Sequence, residues 1–317
     1  MVAPDGATPV FRAGGAALHN APGKALLYML VAVAALSVLD AAVKWLTDDY
    51  TVPQIAFLRY VVGLALALVV ASRAGGLGTL RTRRPGGHLL RSVLNLATML
   101  TFYYALALMP LADVVAIAFA GPLFMTALSV PLLRERVGPR RWAAVAIGFV
   151  GVLVIVRPST AGVDPAALLA LAAAALYALT TIASRQLSAT EPSHSILFYY
   201  SVAVLIATGA VLPWQWTTPG WGDAAIFLLV GVSGSFGQLF LAQAFRYGEV
   251  SMLAPIDYTG LLWAILFGFV LWDEVPTWTV LGGAAVVVAS TLYIAEREAR
   301  RRGPRERRAR GRIKDLG

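Results

Sequence analysis

Hydrophobic positions in this chain fill whole segments instead of alternating with polar ones. In "ALLYMLVAVAALSVLDAAVKWL" (25–46) apolar residues occupy every face, interrupted by Ser37, Asp40 and Lys44. A helix that is apolar all round belongs in a large core or in lipid. Crossing a membrane takes about 20 such residues, because each adds about 1.5 Å across a hydrocarbon core of about 30 Å. On that measure the pattern predicts ten membrane helices, at roughly 26–46, 53–72, 89–108, 112–133, 141–157, 165–185, 194–213, 223–245, 250–271 and 277–295. The connections are short and hold turn formers, as in "TDDYTVP", "MPLAD", "RPSTAGVDP", "WTTPGWGD" and "WDEVPT". The first 24 residues carry no hydrophobic core, so the first span is expected to be retained rather than cleaved as a signal.

Composition supports this picture. Of the 317 residues 58% are hydrophobic and 14% charged, against about 25% charged in a soluble domain. The absence of cysteine excludes disulfides, thiolate metal sites and a Cys nucleophile. His19, His88 and His194 fall in or beside predicted loops, which argues against a buried His relay or metal cage. No cofactor is expected.

The net charge is +9, and its placement matters more than its size. One set of loops carries Arg73, Arg81, Arg83, Arg84, Arg91, Arg134, Arg136, Arg140 and Arg141, and the tail "EREARRRGPRERRARGRIK" lies on the same side. The other set carries Asp48, Asp49, Asp113, Asp164, Asp223, Asp273 and Glu274, with Arg157 the clear basic exception. By the positive-inside rule both termini are expected in the cytoplasm and the protein in the inner (plasma) membrane. The basic tail reads as a topology anchor touching anionic lipid. It offers no folded reader or aromatic platform, so no nucleic-acid partner is expected. The expected partners are the bilayer and a small-molecule substrate, with a monomer as the simplest assembly.

The two halves align at an offset of 139 to 141 residues. "ALALMPLADVVAIAFAGPLF" from Ala105 meets "AFRYGEVSMLAPIDYTGLLW" from Ala244, ungapped through Glu135 and Glu274. Ala105, Ile117, Gly121, Leu123, Leu132 and Glu135 meet identical residues. Five spans per copy is an odd number, so the second copy enters the membrane from the opposite side. The expected fold is all-α: ten transmembrane helices as two inverted five-helix repeats, at 25–158 and 159–296, between a segment 1–24 and a basic tail 297–317. Inverted repeats are a common construction of secondary transporters, with the substrate site at the repeat interface near the midplane.

The motifs that carry a family likeness are "AAVKWL", "PQIAFLRY", "YYALALMPLADVVAIAFAGPLF", "LLRERV" and "GFVGVLVI", then "QAFRYGEVSMLAPIDYTGLLWAILFGFVLWDEVP". On these the chain resembles the EamA-type exporters of the drug/metabolite transporter superfamily, across nearly its whole length. The resemblance implies ten spans, cytoplasmic termini and ATP-independent export of amino acids or other small metabolites; aromatic amino-acid exporters are compatible. "LGGAAVVVA" in the last span matches "AIGFVGVLV" only loosely.

Ionisable groups within spans are costly and are read first as functional. Ser37, Asp40 and Lys44 share one helical face. They could form a self-neutralised pair with Lys44 reaching the surface, or a charged wall that meets a zwitterionic substrate. Tyr177, Thr180 and Ser184 occupy the matching face of the sixth span. Arg59 could pair with Asp40, Asp48 or Asp49, or bind a substrate carboxylate. Among the aromatics, Tyr103, Tyr199, Tyr258 and Trp263 are candidates to line the pathway; packing and interfacial anchoring are the competing roles. Gly231, Ser235, Gln238 and Ala242 form a small-polar stripe that suggests close packing with a wet portion at Gln238. Pro122 and Pro255 interrupt the fourth and ninth spans and are candidate hinges. Asp257, two residues past Pro255, is the carboxylate expected to face the pathway, receiving a substrate ammonium or a proton.

Function then reads as a secondary transporter of small amphipathic metabolites, with amino-acid export first and uptake of an adenosyl or nucleoside-like compound as the alternative. An enzyme is disfavoured because no His/Asp cluster or phosphate-cradling glycine loop is present. A channel is disfavoured because no ring of like residues appears.

Overall fold

A computed structural model describes residues 22–73, 76–82, 84–135, 137–158, 162–188, 190–248 and 250–314. Expectations that concern residues 1–21, Arg83, Arg136, and the side chains of His194 and of 298–317 lie outside the described residues.

The chain folds into helices α1 (Pro22–Leu46), α2 (Val52–Arg73), α3 (Pro85–Leu108), α4 (Leu111–Ala118), α5 (Gly121–Leu133), α6 (Pro139–Val156), α7 (Pro165–Leu187), α8 (Ser193–Gly209), α9 (Trp221–Tyr247), α10 (Val250–Asp257), α11 (Gly260–Trp272) and α12 (Trp278–Lys314). Local chemistry sets several boundaries. Proline opens α3, α6 and α7, where its missing N–H costs nothing. Asp164 caps α7 by accepting the Ala166 N–H at 2.9 Å. Among the described residues nine segments are long and apolar enough to span, with α4–α5 and α10–α11 each counting as one. The remaining predicted span corresponds to α8, whose apolar part Ser195–Gly209 is shorter. Its helix ends at Gly209, and the chain tightens into a 3-10 turn, Leu212–Trp214, that contains Pro213.

The internal repeat is visible in the backbone. α4 and α10 begin at Leu111 and Val250, and α5 and α11 end at Leu133 and Trp272, each pair displaced by 139 residues. The break between the two short helices repeats bond for bond. The Ala120 and Thr259 amides donate to the Ile117 and Ile256 carbonyls, both at 2.9 Å. α5 and α11 both stop on a left-handed residue, Arg134 (φ 53°) and Asp273 (φ 54°), a conformation that ends a helix sharply. The copies run in opposite directions. Loops joining α1 to α2, α3 to α4, α8 to α9 and α11 to α12 gather at one end, where Tyr50 donates to Asp223 at 2.8 Å and Gln54 exchanges two bonds with the Thr217 backbone. This is the acidic end, and the arginine-rich loops lie at the other, the basic end.

Proline placement does not set the breaks. Pro122 lies at the start of α5, but Pro255 lies inside α10, before the turn at Tyr258–Thr259. Of the two candidate hinges, Pro122 sits at its break and Pro255 three residues before its own. In the second copy the tight turn forms without proline, and the Thr259 hydroxyl bonds the Ile256 carbonyl at 2.6 Å.

α6 and α12 pack along each other behind the broken helices. Glycine permits this approach. A Cβ at Gly151 would lie 2.8 Å from the Gly283 carbonyl oxygen, and one at Gly283 would lie 2.7 Å from that of Gly151. Backbone atoms cannot yield as a flexible side chain would. Gly151→Leu is therefore expected to destabilise the protein by about 1–3 kcal/mol, seen as a lower melting temperature in detergent.

Candidate functional site

The acidic end is clasped shut. Lys44, in the last turn of α1, meets Glu274 at 2.8 Å and donates to the Met109 carbonyl at 2.6 Å. The second Glu274 oxygen accepts the Leu111 N–H at 2.8 Å, capping α4. Three elements are thus pinned together: the end of α1, the turn between α3 and α4, and the turn after α11. Trp272 adds a ring under the Lys44 ammonium at 5.3 Å. The Asp40–Lys44 pair considered from sequence is not what Lys44 makes. Its side chain runs to Glu274 and Met109, and Lys44 is buried rather than reaching the surface.

The two halves of the bundle differ in closure. α4 packs on α11 in the acidic half, whereas the repeat-related α10 and α5 make no comparable packing in the basic half. α10 lies instead against α1, α9 and α12, and α5 against α6 and α7. The α6–α12 pair lies behind both short helices, α6 touching α5 and α12 touching α10.

Asp257 ends α10, and Tyr177 stands on α7, which packs on α5. Asp257 is exposed at the end of α10, and Tyr177 on α7 is 52% exposed, with its hydroxyl in electrostatic range of the Asp257 carboxylate. Gly121, buried at the first break, gives the Tyr177 ring its seat; a Cβ there would sit 3.1 Å from the ring. Tyr258 follows Asp257, bonds the Thr291 hydroxyl and receives the edge of Phe119 at 5.0 Å. Phe119 and Tyr258 are repeat partners, so this ring pair sits where the two broken helices cross.

A second polar group lies deeper, toward the acidic end. The Arg59 guanidinium donates to the Tyr103 hydroxyl and lies over the Tyr60 ring (5.2 Å) and the Tyr103 ring (5.8 Å). Gly234 on α9 makes room for it, since a Cβ would stand 3.0 Å from Arg59 Nε. Asp40 is within electrostatic range of Arg59. Tyr60 donates to Tyr200 at 2.9 Å, and these two tyrosines are also repeat partners. Arg91 covers the far face of the group, with its guanidinium 5.5 Å from the Tyr200 ring and its Nε bonded to Ser184 at 2.8 Å.

The structure therefore brings Asp40, Arg59 and Tyr103 together in one cluster and Asp257, Tyr258 and Tyr177 in another, with Lys44 in the clasp. Other expected residues lie elsewhere. Tyr199 lies tilted against His88 toward the basic end, ring centroids 4.5 Å apart, and its neighbour Tyr200 is the ring that enters the cluster. Trp263 stacks on Phe267 and packs beside the first half of α1. Gln238 is exposed, because the buried face of α9 carries the glycine row Gly231, Gly234 and Gly237, which shares only Gly231 with the stripe read in sequence. His88 corrects the reading of the histidines: α3 starts at Pro85, earlier than expected, so His88 is buried in its first turn, 3.4 Å from Glu191. Tyr60, Tyr200 and Arg91 enter the Arg59 cluster without having been singled out in sequence. The signal for the tyrosines was present: "PQIAFLRY" and the second "FYY" occupy matching places in the two copies.

Comparison with known proteins bears on what such a site does. The model of one family, described as the EamA-like transporter family, matches residues 23–157 and again 164–295. The chain belongs to that family. Relatives include an S-adenosylmethionine uptake transporter of Rickettsia prowazekii, 28% identical over 269 residues, with 85% of this chain and 91% of the relative covered. A riboflavin transporter of Rhizobium johnstonii is 31% identical over 278 residues, covering 87% and 92%. A pseudopaline exporter of Pseudomonas aeruginosa is 30% identical over 275 residues, covering 83% and 93%. One solved crystal structure shares the fold, with a TM-score of 0.59 at 19% identity over 87% of this chain and 98% of that chain. This EamA-like transporter is thus a multi-pass membrane protein.

Proposed function

We propose that the protein carries zwitterionic metabolites bearing a ring or apolar group across the inner membrane, with the basic end and both termini in the cytoplasm. One observation carries this reading: an arginine and an aspartate of opposite charge, Arg59 and Asp257, stand at separate depths with aromatic rings around each, and neither has a direct ion-pair partner among the described residues. A substrate carboxylate suits the Arg59 fork, a substrate ammonium suits Asp257, and the rings suit a flat or apolar portion.

Two cargoes meet these demands. An aromatic or other neutral amino acid is one, in the direction of export. An amino acid joined to a nucleoside is the other, favoured by the relatives named for S-adenosylmethionine uptake. Purified protein in proteoliposomes is expected to give saturable exchange of labelled phenylalanine, tryptophan or S-adenosylmethionine, and far less of adenosine, which lacks both charges. Saturable flux of riboflavin or adenosine with none of the zwitterions would sink the proposal. Preparing vesicles with known protein orientation and loading cargo on one side separates export from uptake.

A further inference from the structure

The clasp at the acidic end has a counterpart that is only half made. Glu135 is the repeat partner of Glu274, and both follow the left-handed residue that ends their helix. Arg185 stands two residues before the end of α7, as Lys44 stands two before the end of α1. Yet Glu135 meets Arg185 at 3.3 Å with both side chains substantially exposed, 37% and 64%. Glu274 by contrast holds a buried ammonium and the first amide of α4 at once. Removing one partner from a loose surface pair costs little, while removing one from a desolvated pair strands the other charge and costs much more.

We infer that Glu274 with Lys44 and Glu135 with Arg185 are alternating latches of one transport cycle: each carboxylate caps the start of the broken helix from the opposite repeat when its own end closes. In the state described, Glu274 caps α4 and α4 lies on α11. In the opposite state Glu135 caps the Val250 amide at the start of α10, and α10 closes on α5. The two caps exclude one another because each half of the bundle can close only when the other opens. The inversion of the repeat supplies both states from the same contacts.

The chain contains no cysteine, so spin labels attach only where cysteines are introduced. One label pair at Leu108 and Val275 reports the acidic end, and a second at Leu132 and Arg246 reports the basic end; all four residues are exposed. Pulsed dipolar distances in lipid nanodiscs should show a short acidic-end and a long basic-end separation for the parent protein. Glu274→Gln should raise the population with the acidic end open and the basic end closed about tenfold. Adding Glu135→Gln to that background should remove the gained basic-closed population. Should Glu274→Gln not fold, Lys44→Gln takes its place with the same expected shift. Distances unchanged by the first substitution, or a double variant indistinguishable from the single one, would overturn the inference. No cargo is needed, so failure here is separate from failure of the proposed substrate class.

Discussion

Asp257→Asn is expected to lower saturable flux by roughly tenfold to a hundredfold, about 1.4–2.8 kcal/mol, while yield and melting temperature stay near those of the parent. The asparagine keeps the shape and hydrogen-bonding reach of aspartate and removes only the charge. That charge is exposed at the end of α10, next to Tyr258 and in electrostatic range of Tyr177, with no cation paired to it among the described residues. A carboxylate that merely held the kink would show the opposite result. Its loss would lower stability first, and flux would fall only with the amount of folded protein. Asp257→Glu retains the charge on a longer stem and should recover part of the flux. Thermal unfolding and flux on the same preparations distinguish these outcomes.

Arg59 gives the second large effect. Arg59→Gln should reduce flux to a similar degree, and Arg59→Lys should not restore it, because an ammonium cannot reproduce the planar fork that bonds Tyr103 and lies over two rings. The neighbouring helix offers a graded control. Gly234→Ala places a methyl 3.0 Å from Arg59 Nε and 3.2 Å from Nη2, so the guanidinium must shift by a few tenths of an ångström. Flux should fall several-fold through a higher KM, an effect of about 1 kcal/mol. If the alanine acts through the guanidinium, it should add nothing to Arg59→Gln in the double variant. Full additivity would instead make Gly234 a helix-packing residue only.

The repeat was legible in sequence because thirty ungapped columns preserve it, and the backbone follows it to the same residue at four helix boundaries. Span number and the distinction between the two ends were legible because hydrocarbon thickness and loop charge act on single segments. The site was only partly legible. Periodicity places Asp40 and Lys44 on one face, but it cannot say which of several carboxylates a flexible lysine reaches. Lys44 finds Glu274, far away in sequence, because two turns meet at the acidic end. The packing face of α9 was missed for a related reason. A stripe of small residues does not announce which of two adjacent phases packs, and here the glycines at 231, 234 and 237 receive Val62, Arg59 and Leu36. Tyr60 and Tyr200 looked like ordinary span residues until the fold brought equivalent positions into contact.

That last contact carries its own consequence. When a residue and its twin meet across an internal two-fold, their hydroxyls cannot play the same part: one must give the proton and the other must take it. Here Tyr60 gives to Tyr200, and Tyr200 in turn points its proton at the sulfur of Met99. Reversing that order would take the Tyr200 proton off Met99 and send the Tyr60 proton in search of another acceptor in a buried place. At this contact the internal two-fold is kept by the positions of the two rings and broken by their bonding.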